Sequence, residues 1–208
     1  MGKLEDNPVR RVDKPKIDRR PRVRYLDTDE ETRLRGALTR RDQKARKMRR
    51  SANRWRRKRR KEVLPDLTYF ADHLTPAVLI SLNTGLRRGE LLALSWKDVN
   101  MHEEILTVRS HSAKTGDTRH IPLNGEALET LQRWRKQNLG HELVFPVTTS
   151  FNTAWAALLE QAAIATRFRW HDLRHHFASR LVQAGVPLNT VRELLGHGSM
   201  AMTIRYAH

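Results

Sequence analysis

Residues 170–206 read WHDLRHHFASRLVQAGVPLNTVRELLGHGSMAMTIRY, and the punctuation of that stretch decides the fold. It predicts a helix over 172–184 that stops at Gly185. A second helix over 189–195 has Pro187 early in its segment and Gly196 closing it. A last helix begins after Ser199 and carries Tyr206. His171 and Arg174 are three residues apart, so helical geometry sets them on one face.

Working toward the N-terminus, Thr84-Gly85-Leu86-Arg87-Arg88-Gly89-Glu90-Leu91 places an arginine at a junction between helices. Thr75 reads as an N-cap with Pro76 at the first helical position. The apolar run Ala77–Leu82 then forms a buried helix that Gly85 stops. A short helix over 88–94 follows, and Glu90 can turn back to fix Arg87, while Arg88 faces solvent. Between 104 and 123 the period changes. Ile105-Leu106-Thr107-Val108 and His120-Ile121-Pro122-Leu123 flank Lys114-Thr115-Gly116-Asp117, a hairpin signal with Lys114 in the turn. Helices recur over 125–137 and 151–163. The predicted fold class is mainly α (α+β), with one small antiparallel sheet.

The 208 residues suit one medium domain with an arm. The net charge of +17 points to a polyanionic partner. That charge is concentrated in residues 1–66, which hold 25 Lys/Arg against 11 Asp/Glu. We divide the chain into a linker or arm over 1–25 and a domain over 26–208. Thr28 and Glu31 make a capping-box pair that opens a helix. The basic segment 40–61 continues it, with 14 Lys/Arg, one acid and no Pro or Gly. Its few apolar residues cannot build a broad buried stripe, and such a run of like charge is a poor helix without a partner. Phosphate contacts through Arg46, Arg49, Arg50, Arg56, Arg57, Arg59 and Arg60 account for it better than a solvated face does, although RNA would serve as well as DNA.

There is no cysteine, which excludes disulfides, thiol nucleophiles and thiolate metal sites. No apolar run has the length of a membrane span, and the N-terminus lacks the apolar stretch of a signal peptide. These features lead us to expect a soluble cytoplasmic protein that does not bind membranes. His171 and His175 are four apart, as zinc ligands can be, but no HExxH pattern accompanies them, and we expect no metal and no cofactor. His175 and His176 read as packing or phosphate-binding residues.

Taken in order, TGLRRGELLAL, the hairpin lysine, HDLRHHFAS, LLGHGS and the terminal tyrosine resemble the catalytic domain of the tyrosine recombinases, the phage integrase family. The resemblance covers about residues 66–208. It implies that fold, and a site-specific recombinase or integrase activity that cleaves and rejoins DNA through a covalent 3′-phosphotyrosyl intermediate. It further implies Tyr206 as nucleophile and Arg87 and Arg174 as a clamp on the phosphate oxygens. Lys114 becomes the donor to the leaving oxygen, His171 the acid–base partner of the tyrosine, and His197 a hydrogen-bond donor to the phosphate. Glu90 orients Arg87. Guanidiniums suit this work because they bind oxyanions bidentately and stay charged. The implied partner is double-stranded DNA, with a homo-tetramer on DNA or a monomer in isolation, in the cytoplasm of a bacterial or phage-host cell. The resemblance also implies an N-terminal domain before the linker, a part we expect this sequence to lack. The rival reading is a non-catalytic DNA-binding module on the same fold.

Overall fold

The structure is a computed structural model, and it describes residues 23–109, 118–146, 152–164 and 166–207. The described residues form eight α-helices and a three-stranded sheet. The order is α1 (Thr28–Lys58), α2 (Leu74–Thr84), α3 (Arg88–Ala93), β1 (Val99–Asn100), β2 (Ile105–Val108), β3 (Arg119–Pro122), α4 (Gly125–Gln137), α5 (Asn152–Gln161), α6 (Asp172–Gln183), α7 (Leu188–Leu195) and α8 (Ala201–Ile204). The predicted mainly α class with a small antiparallel sheet holds. Lys114 and the rest of the hairpin turn lie outside the described residues.

The sheet is antiparallel in the order β1-β2-β3. Its register sets Leu106 opposite Ile121, both fully buried, so one face of the hairpin belongs to the core. β1 was not foreseen, since two residues are too few to show alternation. The main core gathers α2, α4, the sheet and the start of α1, and α2 packs against both α4 and α6. A smaller core of Phe177, Ala178, Val191, Leu195 and Tyr206 joins α6, α7 and the end of α8. Val23, within the expected linker, packs against this second core, and Leu26 is buried in the first.

Two helix starts differ from expectation by a residue or two. The capping box of α1 is Asp27 with Glu30, where the Glu30 N–H donates to Asp27 Oδ1 at 2.7 Å and the Asp27 N–H to Glu30 Oε2 at 3.2 Å. Arg24 holds Glu30 with two hydrogen bonds of 2.8 and 2.6 Å, which favours this pairing over Thr28 with Glu31. α2 begins at Leu74, whose N–H donates to Asp72 Oδ1 at 2.8 Å. Asp72 therefore does the work expected of Thr75, and Thr75 and Pro76 lie inside the first turn.

The basic half of α1 is helical for a reason absent from its apolar pattern. Asp42, Arg46, Arg49, Asn53 and Arg56 recur at steps of three and four, so they form one stripe. The chain returns along that stripe over residues 62–71, and the side chains bind its backbone. Arg56 donates to the Glu62 carbonyl at 3.0 Å, Arg49 to Pro65, and Arg46 to Thr68 and Tyr69 at 3.2 and 3.1 Å. Asp42 accepts from the Ala71 N–H at 2.9 Å. Asn53, 1% exposed, donates to the Leu64 carbonyl at 2.8 Å and accepts from the Leu64 N–H at 2.9 Å. A polar ladder replaces the apolar stripe. Asn53→Ala leaves both Leu64 groups unpaired, at a cost of about 1–3 kcal/mol. Urea denaturation is expected to show that loss, and limited proteolysis to show earlier cutting within 59–68.

Candidate active site

Arg174 is the most enclosed cation of the site, 3% exposed. α6 carries it between the ends of two other helices. Its Nη1 donates to the Gly85 carbonyl at 2.9 Å, and its Nη2 donates to the Leu195 carbonyl. Gly85 and Leu195 sit where α2 and α7 finish, and both helices close on a left-handed glycine with φ of 62°, Gly85 and Gly196. Carbonyls at a helix C-terminus lack intrahelical partners and carry the negative end of the dipole, so a guanidinium is well placed there. A Cβ at Gly85 would stand 2.4 Å from the Phe177 ring, so the close approach also needs glycine. Burial, followed by the charge of Arg87, lowers the Arg174 pKa to about 9, and it remains protonated at neutral pH.

Arg87 precedes α3 and binds Glu90 twice, through its N–H and its Nη1, each at 2.8 Å. Its Nη2 donates to the Gly196 carbonyl at 3.3 Å. The two arginines named in the sequence thus meet on successive carbonyls, Leu195 and Gly196, and share one side of the molecule. Arg119 on β3 is a third guanidinium here and was not foreseen. It grips the Glu90 carboxylate with bonds of 3.1 and 2.6 Å and donates from Nε to the Leu194 carbonyl at 3.0 Å. Burial pushes the Glu90 pKa up, but Arg119 and then Arg87 more than reverse this, and it is held below the usual carboxylate range. A Cβ on Gly196 would lie 3.0 Å from Arg119 Nη1. Arg87, Glu90, Arg119, His197 and Gly198 line one cleft of about 590 Å³.

His197 is 9% exposed, and its Nδ1 pairs with Thr203 Oγ1 at 2.9 Å. Its ring lies nearly parallel to that of Tyr206, with centroids 6.4 Å apart. Tyr206 is 2% exposed, within the second core. Burial raises its pKa, opposed by Arg174 and Arg205. Its hydroxyl pairs with His175 Nδ1 at 2.7 Å. We expected His171 at this position. His171 is instead exposed and sets its ring edge-on to His175 at 5.1 Å. The i, i+4 spacing of the two histidines placed them on one face, a signal weighed only for a metal. Burial first, then neighbouring positive charge, lowers His175 and His197 to about 4, so both are neutral at pH 7. Among the described residues no cluster of three or more histidine or acidic side chains is placed to hold a metal ion.

The expected DNA-binding arginines fall into two groups, and Arg59 and Arg60 lie past the end of α1. Arg46, Arg49 and Arg56 face the returning chain and hold its carbonyls. Arg50, Arg57, Arg59 and Arg60 are exposed, as are Lys47, Arg54 and Lys58, which were not singled out. Arg59 lies over the exposed Trp55 ring, 4.2 Å from its centroid. Arg88, expected to face solvent, is half-buried and donates to Asn152 Oδ1 at 3.0 Å. Among the described residues no helix is long and apolar enough to cross a membrane.

Comparison with known proteins identifies the family and the fold. The model of the phage integrase family matches residues 59–208. The integrase of Salmonella phage P22 is 36% identical over 155 residues, covering 65% of this chain and 39% of that protein. The shufflon-specific DNA recombinase of Escherichia coli is 31% identical over 209 residues, covering 100% of this chain and 45% of that protein. The chain thus spans less than half the length of these relatives. Among solved structures, the XerA recombinase aligns with 89% of this chain and 60% of its own, at 24% identity and a TM-score of 0.64. The catalytic domain of bacteriophage HP1 integrase covers 89% of this chain and 88% of its own, at 22% identity and a TM-score of 0.61. The Tn1549 transposon integrase, solved with circular intermediate DNA, covers 91% of this chain and 62% of its own, at 20% identity and a TM-score of 0.65. With most of its length matched by the family model, the chain belongs to the phage integrase family and has the fold of a tyrosine recombinase catalytic domain.

Proposed function

We propose that this chain carries the catalytic centre of a site-specific DNA recombinase. Tyr206 attacks a backbone phosphorus, its oxygen bonds to that phosphorus, and the 5′ oxygen departs. A 3′-phosphotyrosyl link remains, which a free 5′-hydroxyl can reverse. The observation that carries the reading is the seating of Arg174 and Arg87 on the adjacent carbonyls of Leu195 and Gly196, followed in the chain by His197, whose ring stacks with that of Tyr206. Two fixed guanidiniums stabilise the charge that gathers on the phosphate oxygens, and they do so without reorganising. Glu90 holds Arg87, His197 serves as a phosphate donor, and Lys114, from the family resemblance, protonates the leaving oxygen. Double-stranded DNA is the proposed substrate, and a homo-tetramer on DNA the proposed assembly. Covalent capture from a pool of nicked duplexes with randomised sequence tests this reading. Wild type is expected to retain DNA after denaturation, and Tyr206→Phe none. Arg87→Ala is expected to slow capture about 100-fold or more. Equal capture by wild type and Tyr206→Phe would refute the assignment of the nucleophile.

The exposed side of α1 is proposed as a phosphate contact. Each neutralised phosphate contributes about 0.9 to the salt slope of duplex binding. Replacing Arg50, Arg54 and Lys58 together with glutamine should reduce that slope by up to about 3 in a binding titration across salt concentration. The same change at Arg46, Arg49 and Arg56 should lower the unfolding midpoint, because those residues hold backbone carbonyls.

The two neutral histidines also set a pH dependence of stability. Their folded pKa values, about 4, lie below the ordinary 6.5, so the unfolded chain binds more protons between those limits. Stability contributed by the neutral rings is full above pH 6.5 and is lost as pH falls toward 4. Calorimetry should show the unfolding temperature dropping across that window, and less steeply in His197→Gln.

A further inference from the structure

Resting on Tyr206 as the nucleophile, we propose that His175 is a catalytic residue that takes the phenol proton as Tyr206 attacks. The contact is direct, Nδ1 to Oη at 2.7 Å. The rings lie 5.7 Å apart, with the phenol in a core of Phe177, Ala178, Val191 and Leu195. A buried phenol needs an acceptor for its proton, because an unpaired polar hydrogen is costly there. His175 supplies one only in the tautomer whose proton is on Nε2, which leaves the Nδ1 lone pair facing the hydroxyl. The opposite tautomer would point an N–H at the phenol oxygen and strand the phenolic proton.

The step balances as follows. The Tyr206 oxygen bonds to phosphorus while the P–O5′ bond breaks. The phenolic proton passes to His175 Nδ1, and the ring becomes imidazolium. The departing 5′ oxygen takes a proton from a separate acid, an ammonium side chain or water. Rejoining reverses each transfer, with the imidazolium returning its proton to the tyrosine oxygen.

The surroundings explain why this base is weak before DNA arrives. His175 faces His171 and Asp172 on its own helix, Arg169 in the preceding turn, and Arg205 and Tyr206 from the end of α8. Burial first, and then the neighbouring cationic groups, outweigh Asp172 and keep the ring neutral, with a pKa of about 4. A phosphodiester anion held by Arg87 and Arg174 offsets that positive field and strengthens the base. Proton transfer is thereby tied to an occupied clamp. The exposed His171 ring stands edge-on to His175, with centroids 5.1 Å apart.

Histidine variants test this assignment on a nicked duplex recovered by covalent capture, and nitrogen NMR tests it in the free protein. His175→Ala is expected to slow covalent product formation by about 100-fold or more, with partial rescue by added imidazole. His175→Asn keeps an acceptor near the Nδ1 position but takes no proton. It should fold as wild type does, stay slow, and lose the acidic limb of the rate–pH profile. His171→Ala should keep that limb. In the free protein, nitrogen NMR should find His175 Nδ1 unprotonated and shifted by Tyr206→Phe. The proposal is overturned by a protonated Nδ1, by an unchanged rate and acid limb in His175→Asn, or by slowing of His175→Ala that imidazole does not relieve. Faster cleavage by His175→Ala would also overturn it, marking the contact as a latch that must break before attack. A wild-type chain that forms no Tyr206-dependent product on any duplex would defeat the reading of the nucleophile instead, a result the variants cannot mimic.

Discussion

Everything in the site hangs on one buried guanidinium that ties together the ends of two helices. Arg174 satisfies the Gly85 carbonyl at the end of α2 and the Leu195 carbonyl at the end of α7. Neither helix directs its carbonyl there without a left-handed glycine to finish it. The bond to α7 fixes where Gly196 begins, and Gly196 in turn receives Arg87. One side chain from α6 therefore sets the separation of the groups proposed to hold the phosphate. Burying a charge this far costs free energy unless it is fully hydrogen-bonded. Two helix ends supply part of that compensation.

Glu90 solves the opposite problem. Arg87, Arg119 and Arg174 bring three positive charges to a small volume, where they repel. The Glu90 carboxylate is shared by Arg87 and Arg119, and so it offsets part of that repulsion and fixes both side chains. β3 is thereby tied to α3, and through Leu194 to α7. The strand pair β2–β3 is anchored to the site at Arg119 by the same carboxylate. The excess positive charge remaining around the cleft suits an anionic ligand.

α1 shows how one basic run can serve two purposes. On the side facing residues 62–71, arginines and an asparagine act as a backbone-binding ladder. Outside that stripe, the same residue types are exposed and are the ones proposed to meet phosphates. Side chains of like charge tolerate each other because the inward ones point to carbonyl oxygens, not to one another. The early turns of α1 are packed conventionally, with Leu34, Ala37 and Leu38 buried.

Local chemistry made much of this molecule legible before any coordinates. Gly85, Gly185 and Gly196 marked helix ends because left-handed backbone favours glycine. Alternation around Leu106 and Ile121 marked the hairpin, and the ordered motifs marked the family. Arg87, Glu90, Arg174, His197 and Tyr206 were named from residue types and their order along the chain. Tertiary structure alone decided which of them touch. Arg119 enters the site through a carboxylate 29 residues away, and nothing in the RHIP strand announces that. His175 reaches Tyr206 across 31 residues, a pairing fixed by how α7 packs between α6 and α8. The inward role of Arg46, Arg49 and Arg56 depends on a chain reversal whose path no periodicity encodes. Spacing along a helix tells which side chains share a face, but only packing tells what that face meets.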